Sequence, residues 1–134
     1  MTQNKIVAHY LNGQLFKGIT NDFFPNKASF HLVSRDAQPG EKPVELNING
    51  LKALFFVREY DGNPDYNEKK DFDPSLPVTG RKIKAVFKDG ELMVGTTNGY
   101  QPTRPGFFLI PADINSNNER CFVITAATKT ISFI

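Results

Sequence analysis

The chain has no tryptophan and one cysteine in 134 residues, so no internal disulfide supports its fold. That thiol, Cys121, stands in "RCFVITAA", a pattern that suits a buried strand better than a reactive site. No apolar run approaches the roughly 20 residues that a membrane helix needs, and "MTQNKIVAHY" has neither the apolar core nor the cleavage site of a signal peptide. A cytoplasmic protein that does not contact membranes is expected. Helical periodicity is missing as well, because no stretch repeats its apolar residues every 3.6 positions for long enough. A glycine-rich phosphate loop, a Cys-x-x-Cys pair and a nucleophile elbow are all absent. An enzyme is not expected, nor a cofactor.

What is present is a hydrophobic content of 40% with 12% aromatic residues, sufficient for a packed core. The net charge of +2 is unevenly spread. Residues 1–57 hold six Lys/Arg against four Asp/Glu, residues 58–80 three against six, and residues 81–134 seven against four. Two mildly basic flanks surround an acidic centre, without the dense basic stripe of a dedicated nucleic-acid binder.

The flanks are copies of one another. Sliding residues 5–57 over 82–134 at a constant offset of 77 gives 14 identities in 53 pairs without a gap, where chance supplies about three. Among them are Gly13/Gly90, Leu15/Leu92, Gly18/Gly95, Pro25/Pro102, Phe30/Phe107, Lys52/Lys129 and Phe56/Phe133. Each copy opens with Asn12-Gly13 or Asp89-Gly90 between alternating apolar residues, which predicts a two-residue type I′ hairpin. That turn sets Tyr10 opposite Leu15, Ala8 opposite Lys17 and Phe87 opposite Leu92, with Ile6, Ala8, Tyr10 and Leu15 facing the core and Lys88 paired to Glu91 on the solvated face.

Gly18 and Gly95 fall in mid-strand, where glycine marks a bend or a close backbone approach. Further strands are expected over 28–34 and 105–111, 42–49 and 119–126, and 52–58 and 129–134. Five strands in each copy predict an all-β fold of two tandem five-stranded barrels, over 1–58 and 81–134, joined by an acidic Pro/Gly/Asp linker over 59–80. So small a barrel is marginal alone. The pairs Phe23-Phe24, Phe55-Phe56 and Phe107-Phe108 send adjacent rings to opposite faces, which suits a barrel–barrel or subunit interface.

Order and motifs resemble the Sm-like family of SH3-like small barrels. The residues carrying the likeness are "IVAHYLNGQLFKGITNDF" and "IKAVFKDGELMVGTTNGY". The stretch "VFKDGELMVGTTNGYQPTRPGFFLIPADINSNNERCFVI" is also similar to an uncharacterised bacterial domain family. The Sm-like resemblance implies RNA contacts from the loop before the third strand and from the turn between the fourth and fifth strands of each barrel. Carried onto this chain it marks Phe23, Lys27, Tyr100 and Arg104 in the first position and Lys52 and Lys129 in the second. "NGLK" and "AATK" keep the lysine without that family's Arg-Gly pair.

Other polar residues have plainer readings. His9 and His31 are replaced by Val86 and Phe108 in the second copy, which favours packing or surface roles over metal binding. Asp36 and Asp113 head loops, where an aspartate hydrogen-bonds its own turn. Asp61, Asn63 and Asp65 begin like a calcium loop, but Tyr66 replaces the required glycine and Phe72 the closing glutamate. The favoured function is a non-enzymatic binding or assembly module that joins a protein partner or itself. Sm-like RNA binding is the alternative, and a small ligand between the barrels ranks below both.

Overall fold

Alternating apolar residues separated by Gly, Asn and Pro breaks become ten strands in a computed structural model, which describes residues 4–134. The first copy forms β1 (Asn4–Tyr10), β2 (Leu15–Thr20), β3 (Ser29–Ser34), β4 (Val44–Asn47) and β5 (Leu51–Val57). The second forms β6 (Arg81–Phe87), β7 (Leu92–Thr97), β8 (Gly106–Pro111), β9 (Asn118–Ile124) and β10 (Thr128–Phe133), with a 3-10 turn over Thr125–Ala127. No helix among the described residues is long and apolar enough to cross a membrane.

The fold is all-β, but the strands do not form two closed barrels. They make one open antiparallel sheet in the order β10-β6-β7-β8-β9-β5-β1-β2-β3-β4. Each copy contributes five consecutive positions, and the copies meet where β5 pairs with β9. The reason lies in β5. Its sequence LKALFFV is buried at every position, so both its faces and both its edges need cover. β1 supplies one edge and β9 the other. A single core follows, holding Ile6, Phe30, Leu32 and Leu54 of the first copy with Phe87, Met93, Leu109 and Val123 of the second.

The hairpins depart from the expected register by one residue. His9 faces Leu15 and Ala8 faces Phe16; Val86 faces Leu92 and Ala85 faces Met93. Neither Asn12 nor Asp89 has positive φ, whereas Gly13 and Gly90 lie at 91° and 93°, which excludes a type I′ turn. Gly13 N–H donates to the Tyr10 carbonyl and Tyr10 N–H to that of Gln14, and Phe87, Gly90 and Glu91 repeat the pattern. This is a type I turn followed by a left-handed glycine bulge. The side chain decides it: Asn12 Oδ1 accepts the Gln14 N–H at 2.9 Å and Asp89 Oδ1 the Glu91 N–H at 3.0 Å. One extra loop residue exchanges the faces. Leu15 is therefore exposed, Met93 is buried in the core, and Lys88 makes no pair with Glu91, whose carboxylate goes elsewhere.

Gly18 and Gly95 serve close approach. A Cβ on Gly18 would lie 2.1 Å from the Val33 carbonyl oxygen, and one on Gly95 2.0 Å from that of Ile110. Both obstacles are backbone, which cannot swing aside. Gly18→Ala and Gly95→Ala are each expected to destabilise the fold by about 1–3 kcal/mol or more, read from the denaturant midpoint, whereas Gly99→Ala, facing open space, should change it little.

Candidate functional site

The copies meet along the β5–β9 pairing. β5 and β9 run antiparallel with Ala53 opposite Val123, Leu54 opposite Phe122, Phe55 opposite Cys121 and Phe56 opposite Arg120. The Phe23 ring, carried by the β2–β3 loop, enters edge-on between Phe56, Phe108 and Phe122, with centroids 6.2, 6.4 and 5.1 Å away. Edge-to-face contacts of this kind add to the burial of the rings. The Arg120 guanidinium lies over Phe56 at 4.2 Å and Phe108 at 4.7 Å, a cation–π lid on the cluster.

At the other end of the seam Lys52 is 2% exposed. Its ammonium donates to Asp89 Oδ2 at 2.7 Å and to Glu91 Oε1, and it sits 4.9 Å above the Phe87 ring. Burial alone would lower the Lys52 pKa, but the hydrogen bonds to Asp89 and Glu91 outweigh it and raise the group above its ordinary 10.5. The same contact, helped by the Glu91 N–H, holds Asp89 below its ordinary 3.8.

The six residues marked by the Sm-like resemblance are spread over several surroundings. Phe23 and Lys52 belong to the seam. Lys27 lies on the surface over the Phe24 ring at 4.9 Å. Tyr100 packs edge-on against Phe107 at 5.0 Å and Phe133 at 5.7 Å. Arg104 stands on the rim of a trough between the copies, and Lys129 is exposed on β10. Phe122, Arg120, Asp89 and Glu91 join the site without being marked by the resemblance. A signal for the acids was present, since both copies keep the lysine while Asn12 and Gln14 become Asp89 and Glu91.

Among the described residues two strands have no partner on their outer side: β4 and β10 end the sheet. At the offset of 77 they are the counterparts of β9 and β5. Val44 is 41% exposed where Cys121 is fully buried, Phe133 is 39% exposed where Phe56 is 5%, and Ile134 is 60% exposed where Val57 is 8%. Apolar residues therefore persist at seam positions even where no seam forms. The Arg81 guanidinium covers the Phe133 ring at 3.6 Å, while the β4 side carries Glu41 and Glu45, with His31 held between Asp22 at 2.7 Å and Glu45 at 3.7 Å.

A family profile spans residues 2–134. The chain belongs to DUF6982, a family of unknown function. No curated protein and no solved structure matches it.

In this member of the family the segment between the copies is clipped to both. Asp61 accepts from Lys17 at 2.8 Å and Arg35 at 3.1 Å, so the carboxylate that begins the calcium-like run is neutralised by the first copy. Asp113 caps its own turn through the Asn115 N–H at 2.9 Å, and its second oxygen accepts from Tyr66 Oη and from the Lys69 N–H. Glu68 likewise accepts from Ser116. Burial would raise the Asp113 pKa, but the donors from Lys69, Tyr66 and Asn115 outweigh it and leave the carboxyl below its ordinary value.

A group held below its unfolded pKa stabilises the fold above that pKa and loses the contribution as pH falls through the folded value. Acidification below about pH 4 is thus expected to loosen both the Asp113 clip and the Asp89 end of the seam. For Lys52 the sign is opposite, its contribution persisting until pH rises through a value above 10.5. Asp113→Asn and Tyr66→Phe should speed proteolytic cleavage within residues 59–80 at neutral pH while leaving most of the β-sheet circular dichroism intact. Asp89→Asn combined with Glu91→Gln, which strands the Lys52 ammonium, is expected to cost about 1.5–3 kcal/mol, and Lys52→Met to cost less than that pair. Urea titration measures both.

Proposed function

We propose that the chain is a non-enzymatic assembly module that joins further copies of itself edge to edge, β10 of one chain against β4 of the next. One observation carries the reading. The pairing it requires is the counterpart, at an offset of 77, of the β5–β9 pairing already present inside the chain. Translating that register sets Thr130 opposite Leu46, Ile131 opposite Glu45, Ser132 opposite Val44 and Phe133 opposite Pro43. The contact covers Val44, Phe133 and Ile134, the apolar residues left exposed at the two edges.

Backbone and charge both fit such a contact. The Ile48 N–H donates to Ala28 and the Ile134 N–H to Lys82. By the two-residue alternation of a ladder, the Glu45 and Ile131 N–H groups then point out of the sheet. Pro43 has no N–H to offer, which makes this ladder shorter than the internal one. The β4 edge holds Glu41 and Glu45 against Lys42, and the β10 edge carries Lys129 with Arg81 of β6 reaching over Phe133. Opposite signs favour head-to-tail contact and disfavour β4 against β4 or β10 against β10. Such heterologous contacts close into rings or run on as fibres.

The common strand order of the two copies, β5-β1-β2-β3-β4 and β10-β6-β7-β8-β9, supports a duplicated small-barrel unit of Sm-like type within the open sheet. RNA binding is the weaker reading, because Phe23 and Lys52 are committed to the seam.

Light scattering on the untagged protein tests the assembly. A mass at a multiple of 15.0 kDa is expected at concentrations where Glu45→Pro, which removes an outward N–H, no internal backbone bond and only the exposed side-chain contact with His31, returns the single-chain mass. A wild-type mass of 15.0 kDa at every concentration up to the solubility limit would refute edge assembly. A high ratio of 260 to 280 nm absorbance with salt-sensitive RNA binding would restore the RNA reading.

A further inference from the structure

The chain has five arginines. Arg35 and Arg58 are paired with Asp61 and Glu119, and Arg81 and Arg120 lie over phenylalanine rings. Arg104 alone among them has neither kind of partner among the described residues. It is exposed, and a turn closed by its N–H on the Gln101 carbonyl at 3.1 Å sets it on the rim of a trough of about 800 Å³ between the copies.

The trough is formed by the seam. Phe23, inserted among Phe56, Phe108 and Phe122, carries the following residues Pro25 and Asn26 to the second copy, where they line the trough together with the outer face of β8. Phe108 and Ile110 are apolar on that face; the first is half-buried and the second 52% exposed. Asn26 and Asn98 also line the space, and both are exposed. The volume lies within the roughly 300–1,000 Å³ of small-molecule sites, which combine apolar walls with a few convergent polar groups.

We propose that this trough binds a mononucleotide. The apolar wall of Phe108 and Ile110 takes the flat face of a heterocycle. A carboxamide has both donors and an acceptor, so Asn26 and Asn98 match the mixed edge of a base. The guanidinium of Arg104 takes the phosphate through paired N–H donors. Among the described residues the lining holds one cation, Arg104, which answers to one phosphate group. A bound strand would need a track of cations along its backbone, so the occupant is a free nucleotide. The sequence ranked a small ligand below a protein or RNA partner because nothing in it announces that the loop of one copy walls the face of the other.

Titration of the ¹⁵N-labelled full chain with adenosine and uridine 5′-monophosphates, followed by amide shifts, tests the site. Saturable shifts confined to residues 25–26, 96–99 and 104–110 are expected, with inorganic phosphate or the nucleoside alone binding more weakly than the nucleotide. Arg104→Ala, at an exposed position that no packing depends on, should weaken binding roughly tenfold or more. Absence of saturable binding, shifts centred elsewhere, an unchanged Arg104→Ala affinity, or binding of an oligonucleotide but of neither mononucleotide would each overturn the proposal. The readout is independent of chain mass, so a failure here and a failure of edge assembly are separate results.

Discussion

A strand with apolar side chains on both faces has to be covered twice, and β5 imposes that demand on the whole chain. β1 covers one edge from within its own copy, and only a strand from outside that copy covers the other. β9 fills the position, and the remaining features of the seam follow from the contact. Phe56 meets Phe108 because the register brings their strands to the same side of the sheet, and the β2–β3 loop carries Phe23 against Phe108 and Phe122. Lys52 becomes buried at the same junction, which is tolerable only because two carboxylates from the β6–β7 hairpin reach it.

Much of the strand pattern was legible from alternation and breakers alone. Strands expected over 28–34, 52–58 and 129–134 lie at Ser29–Ser34, Leu51–Val57 and Thr128–Phe133. Hairpin register was not, because Asn-Gly and Asp-Gly suit either a two-residue turn or a bulged three-residue one. The choice rests on where the Asn12 and Asp89 side chains bond. Whether each copy closes on itself is not legible for a related reason. A five-strand count does not say whether the last strand returns to its own copy or reaches the next, whereas the two-sided burial of LKALFFV does.

The candidate site was half legible. Aromatic rings at the meeting of the copies are legible in the paired phenylalanines, but Lys52, which the Sm-like resemblance marks as an RNA contact, is held in the seam by partners in the other copy, far away in sequence. The linker is another such case. Its acidity was counted, yet that Asp61 answers Lys17 and Arg35 while Tyr66 and Lys69 answer Asp113 depends on the path of the backbone. What the two functional proposals share is the seam, repeated at the outer edges in one and creating a walled trough beside itself in the other.

The fusion of the copies into one polypeptide also sets a rule of parity. Within a chain the tether holds β5 and β9 at high effective concentration, and the ionic contact of Lys52 with Asp89 and Glu91 exists only in that pairing. At the outer edges the same offset brings Lys129 to the neutral Asn12 and Gln14. Two unlike junctions must therefore alternate along any extended sheet, one ionic and covalently backed, the other neutral at that position. Every assembly built this way contains an even number of copies in strict alternation, and a ring with an odd number of five-stranded units is forbidden by connectivity alone.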